Sequence, residues 1–224
     1  VAGNYVYVAV DQSGLRIVDA TDPLAPVEVG AIDTPGAARA VAVSGSFAYV
    51  ADSNYGLRVI DVSTPSLPSE VGSLSTFHRA YGVAVSGNYA YVVDIASLDL
   101  KVIDVSNPAA PALAGSVGLG NSPWAVAVSG NYAYVVDISS DDLKVVDVSN
   151  PAAPNVVGSL GIGGVPMSIA VAGAYAYVVD RNSADLKIID VSNPAEPVFV
   201  SRVKMPRFYR IGMDMWDVMV AGGM

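Results

Sequence analysis

A glycine-anchored repeat constrains this chain more than any other feature. The pattern Gly-x-aromatic-x-Tyr-Val begins at Gly3, Gly45, Gly87, Gly130 and Gly173, with a partial sixth mark at Gly222. The spacings are 42, 42, 43, 43 and 49 residues, and 22 of 25 aligned positions are identical between Gly87–Pro111 and Gly130–Pro154. Tandem duplication at this period builds arrays or rings of one supersecondary unit, each burying its apolar face on a neighbour. Two unrelated domains are excluded, and residues 1–224 read as a single domain.

Each unit reads as four short strands. In the fourth copy Ala125–Val128 leads into a Ser129-Gly130-Asn131 turn, and Tyr132–Val136 ends at Asp137. Leu143–Asp147 follows a short polar loop, then Val148-Ser-Asn-Pro-Ala-Ala-Pro154, then a last strand near Val156–Leu160. Val, Ile and Tyr suit a pleated buried surface, and Gly or Asn supplies the positive φ of a hairpin turn. Proline cannot donate to a ladder and so punctuates the third connection. Four strands per 40–45 residues predict propeller blades, and strands apolar on both faces fit blades stacked face to face. Trp216–Val220 is a first strand with no repeat after it, while Gly3 opens a unit lacking one. The expectation is an all-β, five-bladed β-propeller of four-stranded antiparallel blades, closed by the C-terminal strand completing the N-terminal blade. The alternative is a fragment of a longer array, in keeping with a start at Val1 and an end at Met224.

Composition removes much chemistry. There is no cysteine and one histidine, which excludes disulfides, thiolate ligands, a cysteine nucleophile and any two-histidine metal site. A net charge of −9 opposes general nucleic-acid binding. The mean hydropathy of +0.45 invites a membrane reading, but Gly, Pro, Asp or Ser interrupts every apolar run before the ~20 residues a spanning helix needs. No signal peptide is visible, and a start at Val1 is what removal of a leader would leave.

The third-strand motifs Leu15-Arg-Ile-Val-Asp19, Leu57-Arg-Val-Ile-Asp61, Leu100-Lys-Val-Ile-Asp104, Leu143-Lys-Val-Val-Asp147 and Leu186-Lys-Ile-Ile-Asp190 resemble LVIVD repeats. The Val-Ser-Asn-Pro and Gly-x-Tyr-Ala-Tyr-Val segments match as well, so the resemblance covers nearly the whole chain. It implies a β-propeller of the kind found in exported and cell-surface proteins of bacteria and archaea, hence an extracellular or cell-surface location. It carries no catalytic motif, and no cofactor is expected.

The repeated polar residues have structural explanations. Asp19, Asp61, Asp104, Asp147 and Asp190 end third strands, and Asp11, Asp52, Asp94, Asp137 and Asp180 end second strands, where carboxylates bond nearby backbone N–H groups. Arg16, Arg58, Lys101, Lys144 and Lys187 are expected to pair with an aspartate of the same or next blade while their stems pack. The loop holding Asp137, Asp141 and Asp142 is the nearest approach to a Ca²⁺ site, and Asp180–Asp185 a weaker version, but both lack the features of an EF-hand loop. A solvated hairpin is the preferred reading, and no metal site is assigned.

Function is sought where the repeats differ. Ser-Gly-Asn and Val-Ser-Asn-Pro connections recur on one face of a propeller, whereas the connections on the other vary in sequence and length. Two positions before the aligned first-strand residues Val41, Val83, Val126, Ile169 and Val218 stand Arg39, Tyr81, Trp124, Met167 and Trp216. These five are expected to ring a channel mouth, as a plug or as a site, with His78 and Arg79 just outside. The segment Arg202–Arg210 holds four of the twelve cations in nine residues, and its Arg207, Phe208, Tyr209 and Arg210 are recognition candidates. Three readings compete. The first is a non-catalytic module binding a protein partner or a neighbouring subunit, by the basic segment on an acidic body. The second is a lectin-like propeller stacking Trp or Tyr on sugar rings. The third, ranked last, is a glycosidase, since only Asp214 and Asp217 lie near the mouth to supply its two carboxylates, and His78 has no evident nucleophile to activate.

Overall fold

The computed structural model describes residues 2–75 and 78–205. Among them are nineteen strands and no helix, forming five antiparallel sheets in chain order. The first holds β1 (Tyr5–Ala9), β2 (Leu15–Asp19) and β3 (Val27–Ile32), and the second β4 (Ala40–Ser44), β5 (Phe47–Ala51), β6 (Leu57–Asp61) and β7 (Ser69–Leu74). The third holds β8 (Ala80–Ser86), β9 (Tyr89–Asp94), β10 (Asp99–Asp104) and β11 (Ala112–Gly118). The fourth is β12 (Pro123–Ser129), β13 (Tyr132–Asp137), β14 (Asp142–Asp147) and β15 (Asn155–Gly161). The fifth is β16 (Pro166–Ala172), β17 (Tyr175–Asp180), β18 (Asp185–Asp190) and β19 (Val198–Lys204). Four sheets thus have four strands and the first has three. The strand expected to complete it, Trp216–Val220, lies outside the described residues, as do Gly222, Arg207, Phe208, Tyr209, Arg210, Asp214 and Asp217. No helix among the described residues is long and apolar enough to cross a membrane.

Two compact units divide the chain, residues 1–97 with 101–114 and residues 98–100 with 115–224. Strand alternation sends neighbouring residues to opposite faces, so each sheet carries two apolar sets. In the first unit Leu15 and Ile17 pack with Ala48, Val50 and Ile60, and Tyr49, Leu57 and Val59 pack with Val83, Val92 and Ile103. In the second, Tyr134, Leu143 and Val145 pack with Ile169, Val178 and Ile189. The set centred on the second Tyr and the Leu of one sheet therefore meets the Ala, Val and Ile set of the next.

A glycine in each of the first four last strands sets the spacing of this packing. Gly30, Gly72 and Gly158 sit beside a register shift in their strands, and Gly115 holds the same place in β11. A Cβ on them would stand 1.9, 2.1, 2.4 and 2.2 Å from the carbonyl oxygens of Pro65, Pro108, Pro151 and Pro194, one repeat onward. No side chain fits there, so the proline turn rests on bare backbone. Gly158→Ala and Gly115→Ala are each expected to destabilise the protein by about 1–3 kcal/mol as the turn is pushed off. Gly161→Ala, where a Cβ meets nothing within 4 Å, is expected to stay within about 0.5 kcal/mol in denaturant unfolding.

The third-strand aspartates close the turns that follow. The N–H groups of Ser63, Ser106, Ser149 and Ser192 each donate to the Oδ1 of Asp61, Asp104, Asp147 and Asp190 at 2.8–2.9 Å, and Thr21 does so to Asp19. Hydrogen bonds from the Ser or Thr side chain and backbone hold all five carboxyls below the ordinary aspartate range. Because the folded pKa lies below the unfolded one, this stabilisation is present above about pH 4 and lost as pH falls through the folded value. Converting all five to Asn is expected to flatten the dependence of unfolding midpoint on pH below about 4, measured by thermal melts.

Candidate functional site

Within each four-stranded sheet the antiparallel order puts the first and third connections at one end and the second connection, with the lead-in to the first strand, at the other. The first end carries a first turn built on a constant positive-φ glycine and the Val-Ser-x-Pro turn, so the second is the variable end.

Its frame is an aspartate buried at the end of the second strand. Asp52, Asp94, Asp137 and Asp180 are fully buried. Asp52 accepts from Thr34 Oγ1 at 2.6 Å and from the Gly36 N–H at 2.9 Å. Asp94 Oδ1 accepts from the N–H groups of Arg79, Ala96 and Ser97 at 3.0, 3.0 and 3.2 Å. Asp180 accepts from Ser183 N–H at 2.7 Å and from Lys187 Nζ at 2.5 Å. Burial pushes the Asp180 carboxyl up, but Lys187 and the N–H groups of Ser183 and Val165 outweigh it and hold it below the ordinary range. One carboxylate thus ties the second connection to the lead-in segment.

All five third-strand cations pair with an aspartate of their own repeat, as the sequence predicts, and three of them with the buried aspartate. Arg58 lies 3.7 Å from Asp52, Lys101 3.9 Å from Asp94, and Lys187 2.5 Å from Asp180. Lys144 turns instead to Asp142 at 2.6 Å, and Arg16 to Asp33 at 3.1 Å.

On this frame sit the ring candidates. The register of the first strand slips by one residue between Ala80 and Gly82, Pro123 and Ala125, and Pro166 and Ser168. The extra residues are Tyr81, Trp124 and Met167, directly after the residue paired with the buried aspartate. A bulge re-aims a side chain out of the ladder. Sequence alignment found these positions but not the bulge, whose only signal is a small residue or proline on each side.

The candidates differ in environment. In the first unit Arg39 lies 3.5 Å from Asp11 and stacks over Tyr81, 5.6 Å from the ring centroid. Burial raises the Tyr81 pKa, against the opposing pull of Arg39 and Arg79. His78 and Arg79 are exposed beside it. In the second unit Trp124 is half-buried whereas Met167 is buried, so Met167 behaves as packing and Trp124 remains accessible. Trp216 lies outside the described residues.

The aspartate loop named for Ca²⁺ is bonded chiefly within its own hairpin. Asp137 Oδ1 accepts from Ser139 and Ser140 N–H at 2.9 and 3.0 Å, and Asp142 from Ser140 Oγ at 2.8 Å and Lys144. Asp141 supplies a left-handed turn residue, φ 55°, where the neighbouring repeats have Leu98 and Ala184. Among the described residues no group of three or more His, Asp or Glu is arranged to hold a metal ion.

Comparison with solved structures returns β-propellers. A functionally unknown protein from Desulfotomaculum acetoxidans matches at TM-score 0.76 and 16% identity over 89% of this chain and 66% of its own. The periplasmic gluconolactonase of Pseudomonas aeruginosa matches at TM-score 0.75 and 16% identity over 90% and 68%. A β-propeller domain from Myceliophteria thermophila matches at 0.71 and 12% over 92% and 71%. The chain spans about two thirds of the length of these proteins, and identities this low show the fold alone. No curated protein matches the chain. The fold is a β-propeller with five blade sheets, and the LVIVD repeat model matches residues 1–34, 35–76, 79–118, 120–161 and 163–205. With five matches spanning nearly its whole length, the chain belongs to the LVIVD repeat family.

Proposed function

We propose that this chain is a non-catalytic interaction module of the cell surface or extracellular space, binding a protein partner through the variable end of its sheets. The observation that carries the reading is the bulge that re-aims a large side chain at the start of the first strand, Tyr81 in one unit, where Arg39 stacks on it, and separately Trp124 in the other. A frame kept constant while its outward residues differ is how one scaffold presents a mixed recognition surface. The cations Arg39 and Arg79, with the basic segment that follows Arg202, stand on a body of net charge −9 and favour an acidic partner surface. The location rests on the exported and cell-surface character that the LVIVD resemblance implies.

Catalysis is not part of the proposal. The aspartates framing the variable end are buried and engaged with loop N–H groups, which suits holding loops in place. The gluconolactonase likeness carries no residue roles across at 16% identity. A lectin-like role is the second reading, favoured by the accessible Trp124 indole.

The test is a screen of the purified chain on protein and glycan arrays beside five variants. Saturable binding to a protein is expected to fall at least about tenfold in Arg39→Glu, Tyr81→Ala and Trp124→Ala and to persist in Asn107→Ala at the opposite end. Equal loss in all four overturns the reading. Glycan binding abolished by Trp124→Ala and Trp216→Ala replaces it with the lectin.

A further inference from the structure

Arg39 is stacked but not hydrogen-bonded through its side chain. It follows the buried Ala37 and Ala38 in the lead-in to β4, and its guanidinium lies over the Tyr81 ring, 5.6 Å from the centroid. Among the described residues its one ionic contact is Asp11 Oδ1 at 3.5 Å, beyond ordinary hydrogen-bond length, and its side chain is 34% exposed. The other stacked arginine of the first unit is fully engaged. Arg58 lies 5.6 Å over Tyr55, donates to Glu70 at 3.0 Å and sits 3.7 Å from Asp52, with 11% of its side chain exposed. Arg16 likewise donates to Asp33 at 3.1 Å. Arg39 thus offers guanidinium N–H donors that no acceptor among the described residues takes, on a plane set by an aromatic face.

The backbone beneath that plane is braced from both sides. Asp11 and Ala38 exchange N–H···O bonds at 3.1 and 2.9 Å, bridging the second connection of the first sheet to the lead-in of the second. The Arg39 N–H donates to Ala51 at 2.8 Å, and next to Tyr81 the Ala80 N–H donates to Ser53 at 3.0 Å. Little backbone is left to order when a ligand arrives. Asp11 is 61% exposed in its side chain, so its hold on Arg39 is that of a surface ion pair. Ser53 makes the corresponding bridge to the next sheet, which shows that the fold needs no carboxylate at this place.

We propose that Arg39 on Tyr81 is the anchor for a carboxylate of an acidic segment in the protein partner, and that Asp11 holds this guanidinium in the free chain and gives it up on binding. The proposal rests on the reading of the variable end as a protein-binding surface. A planar guanidinium matches a carboxylate through two parallel N–H···O bonds, and a carboxylate is what Asp11 already offers it. Arg79, exposed and close enough to pull on the Tyr81 hydroxyl, adds a second positive charge for a run of acids. Asp11 acts as a built-in competitor. It lowers affinity for isolated carboxylates, so a segment binds firmly only when it also makes contacts at Tyr81 or Arg79.

Fluorescence anisotropy of the chain with a short poly-Glu peptide, its poly-Gln counterpart and an oligogalacturonate tests this. Saturable binding of the Glu peptide and none of the Gln peptide is expected, weakened at least about tenfold by Arg39→Gln and by Tyr81→Ala. Asn tolerates the left-handed backbone of residue 11, φ 40°. Asp11→Asn is therefore expected to tighten binding roughly two- to fivefold, a gain that misfolding cannot mimic. In the Arg39→Gln background that gain is expected to vanish. A gain that persists there is general charge repulsion and overturns the inference, as does an Asp11→Asn variant that binds equally or more weakly. Failure of both the wild-type chain and Asp11→Asn to bind the Glu peptide also overturns it, while protein binding on the arrays that still falls with Arg39→Glu leaves the reading of the variable end standing. Oligogalacturonate bound through Arg39 in place of the peptide overturns it in favour of an acidic sugar.

Discussion

The resting of a proline turn on a strand glycine governs the spacing of this fold. A turn carbonyl cannot lie on a strand that carries a side chain there, and Gly30, Gly72, Gly115 and Gly158 are where the chain omits one. With the backbones that close, Tyr49, Leu57 and Val59 pack with Val83, Val92 and Ile103, and the second unit repeats the arrangement. Apolar burial supplies most of the stabilisation, but it is non-directional and would accept several offsets. The glycine contact selects one offset, because one methyl group there collides with backbone that cannot rotate away.

A second constraint, electrostatic in kind, fixes the variable end. Taking a carboxylate out of water costs several kcal/mol unless donors and a cation replace the lost hydration. Asp52, Asp94 and Asp180 recover it from loop N–H groups and a cation of their own third strand. The donors are mostly backbone, so loop sequence can change without disturbing the frame. In the fourth sheet Lys144 leaves for Asp142, and Asp137 Oδ2 is buried with no hydrogen-bond partner. Asp137 is held by the Ser139 and Ser140 N–H groups, and Asp94 Oδ2 likewise has no hydrogen-bond partner, with Lys101 3.9 Å away.

Much of this was legible in the residues because strands and tight turns are local. The strands read as Tyr132–Val136 and Leu143–Asp147 are observed as Tyr132–Asp137 and Asp142–Asp147, since alternation of Val and Tyr and a positive-φ glycine leave little choice. The bulge at Tyr81, Trp124 and Met167 was not legible. An extra residue in a first strand changes neither composition nor turn chemistry, and becomes visible only against its partner strand. Alignment therefore treated Met167 and Trp124 as equivalents, although one is buried and the other half-exposed. The stacking of Arg39 on Tyr81 was hidden for the same reason, as it joins side chains of two repeats.

The fifth repeat departs from the others in a physically coherent way. Its Tyr175–Asp180 and Leu186–Asp190 segments keep the pattern, and its Lys187 pairs with Asp180 as Lys101 does with Asp94. The departures gather on the last strand, where Ser201, Arg202 and Val203 replace the Gly158, Ser159 and Leu160 of the fourth repeat. Each change suits a strand facing water part of the time. Serine tolerates solvent where glycine needed a lid, and Arg202 and Lys204 reach the buried Asp185 at 3.7 and 3.4 Å while keeping their stems outside. Charged residues on a last strand also oppose indiscriminate edge pairing. The apolar set behind them, Leu186 and Ile188 above all, keeps the pattern of the other repeats.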